Sequence, residues 1–191
     1  MGHAETQRKR YPLFVTHPLP LRVRLEGYDG THTDVLESLA TDLATDPDGV
    51  PRTAWDEVVD LAADPEPRIA AGATWLIRRW IEEGHNPSPD VLRDLADRLG
   101  DVADKWARLH LVQALPSIPL PAKQVPAWAG FCRAGVAAGA PFLRAWSVNA
   151  LVHLASIDPT LESEARTALE TALADPKASV RARARKILEE K

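Results

Sequence analysis

The stretch Asp175–Leu188, DPKASVRARARKIL, decides the reading of this chain. Asp175 can cap a helix whose first turn holds Pro176, and Val180, Ala184, Ile187 and Leu188 then fall on one side at helical spacing. The same order of residue types recurs at Leu143–Leu151, LRAWSVNAL, and at Ala107–Leu115, ARLHLVQAL. A fainter copy runs from Pro67-Arg68 through Ala71 to Thr74-Trp75. The arginines of these copies, Arg68, Arg108, Arg144 and Arg181, are 40, 36 and 37 residues apart. A period of that length holds two helices and two turns, the signature of stacked helical repeats.

Caps and prolines divide the rest into four helix pairs. The first spans 52–63 and 65–83, split at Asp64-Pro65, and the second spans 89–99 and 101–115, opened by Ser88-Pro89-Asp90. The third spans 122–138 and 141–156, split at Gly139-Ala140-Pro141, and the fourth spans 159–174 and 176–189, each helix opened by Asp-Pro. An unpaired helix precedes them, with Val35, Leu36, Leu39, Ala40 and Leu43 as its apolar stripe. That makes nine helices and no sheet. Residues 1–30 are read as an extended or disordered arm, because Pro12, Pro18 and Pro20 break helices and Leu21, Val23 and Leu25 alternate with Arg22 and Arg24. Residues 31–191 are read as one all-α domain.

With the pairs in register, residues 50 to 191 resemble a HEAT-repeat protein. The fourth copy carries the likeness, since that family sets an Asp at the turn between helices and an Arg six residues later, as Asp175 and Arg181 stand here. Arg68, Arg108 and Arg144 have no acidic residue at that offset. The resemblance implies a right-handed α-solenoid of about four pairs, with second helices on its concave side and a role as a binding scaffold.

Composition sets the outer bounds. A chain of 191 residues can bury a core of its own. Cys132 is the single cysteine, so no internal disulfide forms and a reducing compartment is expected. No run approaches the roughly 18 apolar residues of a membrane span, and a soluble, cytoplasmic protein is expected. The net charge of −4 conceals a polarity: residues 31–104 hold six basic and seventeen acidic side chains, while residues 105–191 hold twelve and seven. Such a division could steer a dipolar partner or stack copies head to tail, or the charges could be solvated helix faces.

Aligned on their arginines, the second helices separate two arcs. Offsets −1, +3, +7 and +10 give core positions, such as Leu143, Ser147, Leu151 and Leu154, or Val180, Ala184 and Leu188. Offsets +2, +5 and +9 give an outward stripe that starts as Ala70, Ala73 and Ile77 and turns polar along the chain. It continues through His110 and Gln113, Trp146, Asn149 and His153, then Arg183 and Lys186, the mixture that holds peptides or nucleic acid when it lines a groove. An ordinary wet helix face would carry the same residue types. Arg68, Arg108, Arg144 and Arg181 fall inside the packing arc, where a guanidinium needs carboxylate or carbonyl partners, so with Asp175 they are read as braces between repeats. Of the six tryptophans, Trp55, Trp75, Trp106 and Trp128 are expected in the core. Trp146 and Trp80, the latter beside Arg78 and Arg79, are the candidates for exposure.

Catalysis has little support in these residues. His3, His17, His32, His85, His110 and His153 fall in no His-x-x-x-His spacing, and Cys132 has no cysteine partner. No glycine-rich phosphate loop or Gly-x-Ser-x-Gly elbow occurs. No catalytic residue, metal site or cofactor is assigned. The expected function is a non-catalytic module that binds another protein, as an adaptor, regulatory or immunity-type scaffold. The alternative is a DNA-binding protein akin to the HEAT-like alkylpurine-DNA glycosylases, whose catalytic Asp has no counterpart on the stripe. Self-association through the opposed charges is a third possibility.

Overall fold

A computed structural model describes residues 19–44 and 49–190. Ten α-helices lie among them: α1 (Leu21–Leu25), α2 (Asp34–Leu43), α3 (Arg52–Leu61), α4 (Pro67–Glu82), α5 (Pro89–Arg98), α6 (Lys105–Ala114), α7 (Val125–Val136), α8 (Pro141–Ile157), α9 (Glu162–Leu173) and α10 (Ala178–Glu189). The described chain is all-helical, with starts at the expected Pro89 and Pro141, while α4 opens at Pro67 instead of Pro65 and α6 at Lys105 instead of Asp101. Pro67, Pro89 and Pro141 each open a helix, where a missing N–H leaves no bond unmade. The Ser88 hydroxyl accepts the Val91 N–H, and the Asp104 carboxylate accepts those of Trp106 and Ala107. At α10 the start moves: Asp175 accepts the N–H of Lys177, closing a turn before the helix, which begins at Ala178 instead of Pro176.

The expected extended arm is corrected where it is described. Residues 1–18 lie outside the described residues, but Leu21–Leu25 is a short helix. Leu21, Leu25 and Tyr28 are buried while Val23 is 44% exposed, so the real spacing is i, i+4, i+7 and the alternation with arginine was coincidental. Tertiary contacts hold so short a helix: the Leu21 N–H donates to the Glu57 carboxylate of α3 at 3.0 Å, and Arg22 pairs with Asp64. Gly72 of α4 leaves the room, since a Cβ there would lie 2.9 Å from Leu25 and 3.3 Å from Leu36.

Second helices pack on one another in order, α4 on α6, α6 on α8 and α8 on α10, while first helices meet as α3 on α5 and α5 on α7. One buried cluster runs from α1 to the start of α9, and a smaller one, centred on Val148, Leu169, Val180 and Ile187, joins α8, α9 and α10. α7 and α8 approach closely at Gly135, where a Cβ would sit 2.0 Å from the Ser147 hydroxyl. Leu188, expected in the core, is 51% exposed, because Ile187 takes the inward position of α10.

Three of the four marker arginines share one geometry. Arg108, Arg144 and Arg181 each donate through Nη1 to the carbonyl six residues earlier, of Val102, Ala138 and Asp175, at 3.0, 2.9 and 2.6 Å. Two of them also reach forward to the next pair. Arg108 bonds the Phe131 carbonyl at 3.1 Å with its guanidinium 4.1 Å from the Phe131 ring centroid. Arg144 binds Asp175 with two hydrogen bonds, of 2.7 and 3.1 Å, and holds that carboxyl below the usual carboxylate range. This tie is therefore full at neutral pH and lost as pH falls through the depressed value. Arg68 departs from the expectation of a brace between repeats. It is half-exposed and bonds Glu66 of its own turn, because it is the second residue of α4, whereas Arg108, Arg144 and Arg181 are each the fourth residue of their helices; the turn itself, with Asp64 accepting the Glu66 N–H, matches that at Asp175. Replacing Arg108 with Ala should remove its bonds to the Val102 and Phe131 carbonyls and its contact with the Phe131 ring, and lower stability by about 2–3 kcal/mol. Arg68→Ala should stay within about 0.5 kcal/mol. Urea unfolding of the two variants measures the contrast, and equal losses would contradict the difference in their roles.

Candidate functional site

The outward stripe divides into a buried part and a half-buried one. In α4 its members Ala70, Ala73 and Ile77 are core residues, because α1, α2, α3 and α6 all pack around that helix. His110 follows them inside. Its Nδ1 lies 3.2 Å from the Ala71 carbonyl and 3.3 Å from the Thr74 hydroxyl, which itself donates to the Ala70 carbonyl, so His110 joins α6 to α4. One turn on, the Gln113 amide oxygen accepts from Arg78 at 2.6 Å across the same seam. The stripe residues of α6 thus tie one second helix to the previous one.

The part on α8 and α10 is more open. The Arg183 guanidinium lies 3.9 Å from the Trp146 ring centroid and donates to the Asn149 side-chain oxygen at 2.9 Å. Arg183 has no carboxylate partner among the described residues, and its Nε is buried without a hydrogen bond. His153, one turn beyond Asn149, also has a buried, unbonded Nε2, and burial lowers its pKa. Lys186 is exposed and pairs with Glu190 of its own helix at 3.6 Å. Of the stripe residues named from the sequence, Trp146, Asn149 and Arg183 form one cluster; His110 and Gln113 belong to the seam with α4.

Two tryptophans exchange their expected places. Trp80 is fully buried: its indole N–H donates to the Ala40 carbonyl at 3.2 Å, and its ring meets Trp55 edge-on with centroids 5.1 Å apart. The flanking arginines point elsewhere, Arg79 to Glu83 and Arg78 to Gln113 and Glu82. Trp106, expected in the core, is 48% exposed. Phe142, which no motif singled out, is 59% exposed. Both stand two residues before a marker arginine, so the alignment that defined the stripe held the signal. Between them lies a cleft of about 190 Å³, floored by Leu109 and Leu143.

A larger cleft, of about 650 Å³, opens between α7 and α9. Its floor is Val136, Leu151 and Ala168, the wall made by α9 and the turn before it carries Thr160, Ser163, Thr167 and Thr171, and Arg133 and Glu164 bridge the two helices through hydrogen bonds of 2.6 and 2.7 Å. Cys132 is buried, and its thiol is pushed up to about 12 by desolvation, so it packs and does not react. Compared with family models, with curated proteins and with solved structures, the chain matches none.

The seam gives a pH dependence with a definite sign. Burial, and secondarily the Arg78 guanidinium, lowers the His110 imidazole to about 4. The unfolded chain takes up this proton near pH 6.5, and the folded one does so only near 4. Stability is therefore full above about pH 6.5 and falls by about 3 kcal/mol as pH drops to 4. His110→Asn keeps a donor near the Ala71 carbonyl and removes the titration. Between pH 7 and 4 its unfolding free energy should fall by about 3 kcal/mol less than that of the natural chain. Parallel losses would show that the proton is taken up elsewhere.

Proposed function

We propose that this chain is a short HEAT-like α-solenoid acting as a non-catalytic protein-binding module, with the second helices α4, α6, α8 and α10 on its concave side. The ordered packing of those helices and the recurring arginine geometry support the architecture. The observation that carries the function is the Trp146–Arg183 pair. A guanidinium over an indole ring, half-buried and without a counter-ion among the described residues, is partly desolvated before any partner arrives. Tryptophan and arginine are also the residues that most often dominate binding energy at protein interfaces. Asn149 holds Arg183 in place, which lowers the ordering cost of binding.

On this reading α8 and α10 carry the contact, and α4 and α6 serve as a rigid base. Nucleic acid fits the molecule less well, because the seventeen acidic side chains of residues 31–104 would repel a duplex lying along the whole row. The test is calorimetry with a partner isolated by cross-linking from the source cell. Trp146→Ala and Arg183→Ala should each weaken binding at least tenfold, about 1.4 kcal/mol, with circular dichroism unchanged. Unchanged affinity in both would overturn the assignment of this face. Submicromolar, steeply salt-dependent binding to duplex DNA would replace it with the nucleic-acid reading.

A further inference from the structure

We infer that the edge where α6 and α8 begin is a second docking site, for an extended segment of another protein that places an aliphatic side chain beside a carboxylate. The evidence starts with two aromatic rings left in water. Trp106 and Phe142 are each the second residue of a helix, and they are 48% and 59% exposed. An apolar side chain facing solvent singly is ordinary, but two large rings flanking a shared cleft form a patch. The cleft of about 190 Å³ has Leu109 and Leu143 at its base and Ala140 and Lys105 at its rim. That volume suits one aliphatic side chain and little more.

The rings are held in advance of any ligand. Arg108 and Arg144 sit two residues further along α6 and α8, and each is tied to the carbonyl before its helix and to the following pair. The helix starts that carry Trp106 and Phe142 are thus fixed relative to one another, and a guest need not order them.

Charge selects the guest. The Lys105 ammonium lies 5.4 Å from the Trp106 ring centroid, at one side of the cleft. On the other side α8, seventeen residues long, begins at Ala140, which supplies no side-chain cap, and has no acidic residue in its first turn. The positive end of that helix therefore meets the cleft without compensation. Both features favour a carboxylate next to the buried aliphatic group. They also disfavour a two-fold contact centred on this cleft, which would bring the two Lys105 ammonium groups and the two α8 starts close together. Phe142 lies one turn before Trp146 on the same side of α8, so the cleft adjoins the Trp146–Arg183 face at the helix starts, and the Arg183→Ala arm of the test below tells the two sites apart.

The experiment is selection of a random dodecapeptide library on the full chain, followed by fluorescence anisotropy with the labelled consensus peptide. The expected consensus pairs Leu, Ile or Val with flanking Asp or Glu. Its affinity should fall at least tenfold in Phe142→Ser and in Lys105→Glu, and should be unchanged in Arg183→Ala. Both critical side chains are exposed, so thermal unfolding of the variants should match the natural chain and separate lost binding from lost folding. No enrichment over a Phe142→Ser control, a basic consensus, or loss of binding only in Arg183→Ala would overturn the site. So would a concentration-dependent dimer, in sedimentation, that Phe142→Ser abolishes.

Discussion

A guanidinium reaching back to the carbonyl six residues before it is the contact on which the last three helix pairs depend. It fixes the angle between a turn and the helix that follows, because Nη1 of Arg108, Arg144 and Arg181 occupies the same place in each pair. In the first two cases the other nitrogens bond the next pair, to the Phe131 carbonyl and the Asp175 carboxylate. One side chain thus sets both the geometry within a pair and its distance from the next. Arginine suits this task because its planar fork offers several donors in fixed directions and stays charged.

The seam between second helices follows from that spacing. Once α4 and α6 are in contact, polar residues between them must be bonded or pay for desolvation. His110 against Ala71 and Thr74, and Gln113 against Arg78, meet that requirement. Further along, Arg183 rests on Trp146 and Asn149 with its Nε unbonded. Unbonded nitrogens occur at both ends, the Arg78 Nε at the seam and the Arg183 Nε and His153 Nε2 beyond it, but Arg78 has the Glu82 carboxylate at 3.4 Å while Arg183 has none among the described residues, and the proposed contact face lies at Arg183.

The two ends also differ in their covering. The α1 helix and α2 close the first pair, with Leu21, Leu25 and Tyr28 packed near Gly72. At the other end, the charged and small side chains on the outer side of α10, with Leu188 among them, are exposed. Between these ends Trp106 and Phe142 break the rule that large rings are covered. Their exposure comes from position in the turn, since a side chain two residues before the marker arginine leaves the packing arc and no neighbouring helix reaches it.

The all-helical class, the helix starts at Pro89 and Pro141, and the equivalence of Arg108, Arg144 and Arg181 are all legible in the sequence by itself. These are local or periodic properties, written in spacing along the chain. Only the tertiary structure decided that Leu21–Leu25 is a helix, that Arg68 falls outside the shared geometry, and that Trp80 lies inside while Trp106 lies outside. Each of those outcomes depends on which elements close over a position. A period along one helix names a face but cannot say whether a neighbour covers it; five residues gain a helical structure only when Glu57 and the Gly72 notch are there to receive them.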